Sequence, residues 1–96
     1  MPGTDNGAGF VAVIHGRVQG VGFRYYARSA AHHFGVYGYV TNQYDGTVKV
    51  VCEGSASAVC KMREWLEHGP PSARVSAVQL QWYAERRGYS SFTVEY

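Results

Sequence analysis

Long hydrophobic runs are missing from this 96-residue chain, and so is any strong excess of charge of one sign. No apolar stretch approaches the ~20 residues that span a bilayer, which leaves no transmembrane segment to place and no membrane partner to expect. The first nine residues, Met-Pro-Gly-Thr-Asp-Asn-Gly-Ala-Gly, lack the basic and apolar regions of a secretion signal. Residues 1–9 therefore read as a flexible N-terminal tail, and the protein as cytoplasmic. Charged residues make up only 17% of the chain and the net charge is +2, too little for the concentrated basic face of a nucleic-acid binder. The sign still suits an anionic substrate. Cysteine is scarce as well: Cys52 and Cys60 form no Cys-x-x-Cys pair and have no histidines at zinc-site spacing. Both read as free thiols, and no metal site is expected. The four histidines, His15, His32, His33 and His68, stand at no recognisable spacing from a nucleophile or carboxylate and read as non-catalytic.

What is present is a 46% hydrophobic chain, enough for one core, and residues 10–96 read as a single domain, expected as a monomer. Phe10 to Val18 predicts a first strand, with Phe10, Ala12 and Ile14 on one face. Phe23, Tyr26, Ala27, Ala30, Ala31 and Phe34 recur at helical spacing, and Gly35 closes that helix as a left-handed cap. A second strand, Val36 to Asn42, meets a third, Thr47 to Glu53, through the hairpin signal Asp45-Gly46. A second helix begins near Ser55 or Ser57, carries Ala58, Val59, Met62, Trp65 and Leu66 inward, and stops at Gly69-Pro70-Pro71. Strands over Arg74–Ala84 and Ser91–Tyr96 complete the chain. The order βαββαβ plus a fifth strand predicts an α+β fold, a ferredoxin-like α/β sandwich in which an antiparallel sheet carries two helices on one face.

One stretch does not serve the core: Gly16-Arg17-Val18-Gln19-Gly20-Val21-Gly22-Phe23-Arg24. It reads as strand, tight loop and helix N-terminus, an arrangement that aims successive backbone N–H groups into one concavity and suits an oxyanion such as phosphate. The backbone of Gln19, Gly20, Val21, Gly22 and Phe23 forms that cradle, and Arg24 adds a planar fork of donors. In a split βαβ unit the first two strands run parallel with one strand between them, so their C-terminal ends share an edge, roughly 10 Å apart. The second strand ends at Asn42. Its parity with Val40 turns it toward the helices, and an amide there can hold a water by its proton.

These residues resemble the acylphosphatase family. The likeness rests on the loop above, on Gly38-Tyr39-Val40-Thr41-Asn42 followed by Asp45-Gly46, on Gly69-Pro70 with Ala73-Arg74-Val75, and on Phe92-Thr93-Val94, and covers about Phe10 to Tyr96. Tyr39 stands where that family often has Trp, and Thr41 where it often has a basic residue. The resemblance implies a hydrolase that splits acyl phosphates into carboxylate and inorganic phosphate without cofactor, metal or covalent intermediate. It implies Arg24 as the phosphoryl anchor, Asn42 as the residue that positions the attacking water, and inorganic phosphate as product and inhibitor. A non-catalytic phosphate-binding module of this family is the alternative, as is an RNA-binding sheet built on Tyr37, Tyr39 and Tyr83 with His15, Arg17 and Lys49. Against the RNA reading, the central strands present Val11, Val13 and Val51 rather than aromatic rings on the open face.

Overall fold

Alternation in the first strand produces β1 (Ala8–Arg17), whose even-numbered residues Phe10, Ala12 and Ile14 are fully buried. The structure, a computed structural model, describes residues 7–96, so the expectation for residues 1–6 of the tail lies outside the described residues. Ala8 and Gly9 belong to the sheet rather than to the tail, pairing with Gly54 and Glu53. The chain continues as α1 (Phe23–Phe34), β2 (Tyr37–Asn42), β3 (Val48–Gly54), α2 (Ala56–His68), β4 (Arg74–Tyr83) and β5 (Phe92–Glu95). Of the two candidate serines, Ser55 caps α2, its hydroxyl accepting the Ala58 N–H at 3.2 Å.

The five strands form one sheet in the order β4-β1-β3-β2-β5. β3 lies between β1 and β2 and pairs antiparallel with both, which makes β1 and β2 parallel and brings their C-terminal ends to one edge, as the crossover requires. The expected antiparallel sheet is corrected at one place: β5 pairs parallel with β2, so the sheet is mixed. The cause lies in the link between β4 and β5, which must pass from one sheet edge to the other. Glu53, on the β3 face opposite the helices, receives that link.

Both helices pack on the other face. Ile14, Val40, Val48, Val50 and Cys52 from the strands meet Phe23, Ala27 and Ala31 of α1 and Val59, Met62 and Leu66 of α2. Each large side chain so buried contributes about 1.5–3 kcal/mol relative to exposure. The three alanines of α1 let its backbone lie close to the sheet. Tyr26, placed on the apolar stripe by its spacing, is instead 51% exposed, while Phe23 and Ala27 on either side of it are buried. Trp82 on the edge strand β4 is half covered, its ring edge-on to Phe10 at 5.5 Å. No helix among the described residues is long and apolar enough to cross a membrane.

Candidate active site

The loop between β1 and α1 is shaped by its two glycines. Gly20 has φ +74° and Gly22 φ +77°, and Val21 between them stays at negative φ. Such alternation curls the main chain so that consecutive N–H groups converge, and only glycine adopts the positive values without strain. The first helical bond runs from the Tyr26 N–H to the Gly22 carbonyl at 3.1 Å. Among the described residues, no hydrogen bond is donated by the N–H groups of Gln19 to Tyr25. These are the free donors that every helix start presents, extended backward through the loop.

Charge adds to this. No acidic side chain occupies the first turn of α1. Arg24 sits there instead, a cation where the helix dipole is already positive. The ion pair present among the described residues joins Arg63 to Glu67, and the Arg24 guanidinium has no carboxylate of these residues within 4.0 Å. It rests on the ring of Tyr96, 4.7 Å from the centroid, a contact worth about 0.5–1 kcal/mol at an exposed site.

Asn42 ends β2 and shares the helix-facing parity of Val40. Its Oδ1 is buried and accepts no hydrogen bond from the described residues. An acceptor buried in that condition costs about 1–3 kcal/mol, so it favours a proton donor brought in by a water or ligand. Asn42 and Arg24 line the same cavity of about 80 Å³, together with Val18, Gly20, Gly22, Phe23 and Tyr25. One water needs about 10–15 Å³ on such a measure, so the space admits a tetrahedral oxyanion and a water beside it.

Two predicted cradle residues do not line the cavity. Val21 turns its side chain toward the core, and its carbonyl accepts the Ser72 hydroxyl at 2.8 Å. The Gln19 side chain crosses to the hairpin after Asn42, donating to the carbonyls of Gln43 at 2.7 Å and Thr47 at 2.8 Å. That hairpin is knitted further: Gln43 Nε2 donates to the Thr47 hydroxyl at 2.8 Å, and Asp45 Oδ1 accepts from the Thr47 hydroxyl and N–H. The Thr47 hydroxyl, then its N–H, hold the Asp45 carboxyl below its ordinary range. Sequence reasoning missed Val18 and Tyr25 as lining groups and Tyr96 as the support of Arg24. Periodicity gave no sign of them, since β5 had to be placed beside β2 first.

A second cluster of backbone donors, far from this cavity in sequence, is already filled. Glu53 is 1% exposed, and its carboxylate accepts from the N–H groups of Arg87, Gly88 and Tyr89 at 2.8–3.0 Å and from the Tyr83 hydroxyl at 2.8 Å. Burial pushes its pKa up, but the hydrogen bonds from Arg87, Tyr83, Tyr89 and Gly88 outweigh burial and hold it below the ordinary value. Burial and the Glu53 carboxylate push the Tyr83 hydroxyl up in turn. Cys52 and Cys60 are free thiols, the first buried and pushed up by burial and by Glu53. No group of three His, Cys, Asp or Glu side chains gathers as a metal site among the described residues.

Comparison with known proteins covers most of the chain. The family model described as Acylphosphatase matches residues 10–94. A Mannheimia succiniciproducens protein named acylphosphatase is 48% identical over 84 residues, covering 88% of this chain and 93% of that protein. The crystal structure of acylphosphatase from Bacillus subtilis superposes with a TM-score of 0.89 at 30% identity, covering 93% of this chain and 99% of that one. The structure of an acylphosphatase from Coxiella burnetii gives 0.88 at 33% identity, over 99% and 100% of the two chains.

Proposed function

Because the chain belongs to the acylphosphatase family, we propose that the cavity between the glycine loop and Asn42 hydrolyses the carboxyl–phosphate bond of acyl phosphates. The observation that carries this is the presence of Arg24 and Asn42 on one small cavity, beside Gly20, Gly22, Phe23 and Val18, which have no polar side chain, and Tyr25. The phosphoryl oxygens face the main chain of Gly20, Gly22 and Phe23 and bond the Arg24 fork, which neutralises charge on the equatorial oxygens as the transition state forms. Asn42 Oδ1 accepts a proton of the water and holds its oxygen in line with the leaving group. Water attacks phosphorus, the phosphorus–oxygen bond to the acyl group breaks, the acyl carboxylate departs with the bonding pair, and both water protons remain on inorganic phosphate. A carboxylate is a good leaving group, so the step asks for no strong general acid and no metal.

On this reading the protein works as a cytoplasmic monomer on a small-molecule substrate, without cofactor, nucleic acid or membrane partner. Turnover of an aryl acyl phosphate in the presence of chelator tests it. Wild type is expected to be active and competitively inhibited by inorganic phosphate. Arg24→Ala and Asn42→Ala are each expected to lose about 100- to 1000-fold in kcat with unfolding midpoints retained, the scale set by removing one transition-state donor. Full activity in either variant overturns the site, and an inactive wild type overturns the hydrolysis.

A further inference from the structure

We infer that Gln19 is a positioning residue, whose side-chain amide sets the separation between the phosphate cradle and Asn42. The inference rests on the function proposed above, because that reaction needs both parts in one geometry. The sheet alone does not provide it. β1 and β2 are not paired with each other, and the pairing of β1 with β3 ends at Ile14 opposite Val48. Beyond Ile14 the chain pairs only with β4, through an irregularity between His15 and Gly16. The segment that leads into the cradle has thus left the strand on which Asn42 depends.

Gln19 restores the connection. Its two amide protons reach the Gln43 carbonyl at 2.7 Å and the Thr47 carbonyl at 2.8 Å, the two sides of the last rung of the hairpin. Gln43 follows Asn42 directly, so a displacement of its carbonyl moves the peptide that carries Asn42. The two halves have different needs. Loop N–H groups and Arg24 bind a phosphoryl group wherever Asn42 lies, whereas in-line attack needs the water at a set place. Removal of the tie is therefore expected to reduce turnover and spare phosphate binding.

Gln19→Met keeps the length and removes both donors. The hairpin is expected to survive, since the Gln43 carbonyl keeps the Gly46 N–H and the Thr47 carbonyl keeps the Gln43 N–H. The expected result is a fall in kcat of about 10- to 100-fold, with the inhibition constant of inorganic phosphate within about threefold of wild type. Gln19→Glu supplies a titratable version of the same contact. Ionised, it sets a carboxylate against two carbonyl oxygens and is as slow as Gln19→Met. Protonated, it donates one hydrogen bond, so its kcat relative to wild type is expected to rise as pH falls toward about 5, while that of Gln19→Met stays level. The side-chain amide signals of Asn42 in an ¹⁵N-correlated NMR spectrum give a readout without turnover, expected to shift or broaden in Gln19→Met. Wild-type kcat in Gln19→Met, parallel loss of kcat and phosphate affinity, or no acid recovery in Gln19→Glu overturns the inference. Unchanged Asn42 signals overturn it even if wild type shows no turnover, and the failed assay then sinks the proposed hydrolysis separately.

Discussion

Gly20 is the residue at which shape and stability can be separated. A Cβ built there meets no heavy atom within 4 Å, so a substitution costs backbone strain and nothing else. At φ +74° that strain is about 1–2 kcal/mol for an L-residue. Gly20→Ala is expected to lower the urea unfolding free energy by that amount and to weaken inhibition by phosphate, because the loop relieves strain by turning N–H groups out of the cavity. Unchanged phosphate inhibition alongside the loss of stability would show that the loop shape is not what gathers the donors. At this scale Arg24 and the two loop glycines were readable, since their order after a strand and before a helix has a physical meaning by itself. The Gln19 side chain was not: its partners are carbonyl groups 24 and 28 residues away, and a carbonyl leaves no mark on a sequence.

Among the elements, the link from β4 to β5 shows why strand direction escaped the sequence reading. A glutamate on an alternating strand, between Cys52 and Gly54, reads as a solvent-facing residue. Glu53 is instead buried, with three consecutive N–H groups of that link bound to its carboxylate. The clamp carries the chain past the end of β3 and delivers β5 to the far side of β2, where the pairing is parallel. Glu53→Gln puts an NH₂ group against donors and leaves N–H groups unpaired. It is expected to cost about 2–4 kcal/mol, from the loss of hydrogen bonds to a charged acceptor and from desolvated donors. Denaturant unfolding reads that cost, and accelerated hydrogen exchange at Gly88 and Tyr89 locates it. A variant as stable as wild type would mean that the link holds its course without the carboxylate. The hairpin after β2, by contrast, was legible from Asp45-Gly46, because its turn chemistry is local.

For the molecule as a whole, the readable part was the crossover: βαββαβ order and right-handed connections bring two strand ends to one edge before any coordinate is known. What could not be read was how much of the stability depends on one ionised group. The folded-state pKa of Glu53 is depressed, so its contribution is present above the unfolded value, about 4.3, and is lost as pH falls through the folded value. Wild type is therefore expected to exceed Glu53→Gln in stability by a constant margin between about pH 6 and 8, and the margin to narrow below about pH 4. Unfolding midpoints of both proteins across that range check the sign. A margin that grows on acidification would contradict it.

The cradle has a consequence for how such a site reveals itself to mutagenesis. The donors proposed to bind phosphate, the N–H groups of Gly20, Gly22 and Phe23 on the cavity wall, belong to the main chain, and truncating a side chain removes none of them. An alanine scan across the loop would register Arg24 strongly, the glycines through distortion, and Val21 mainly through lost packing, leaving the binding groups themselves unscored. Replacing single peptide bonds by esters in a synthesised 96-residue chain would count those donors one at a time.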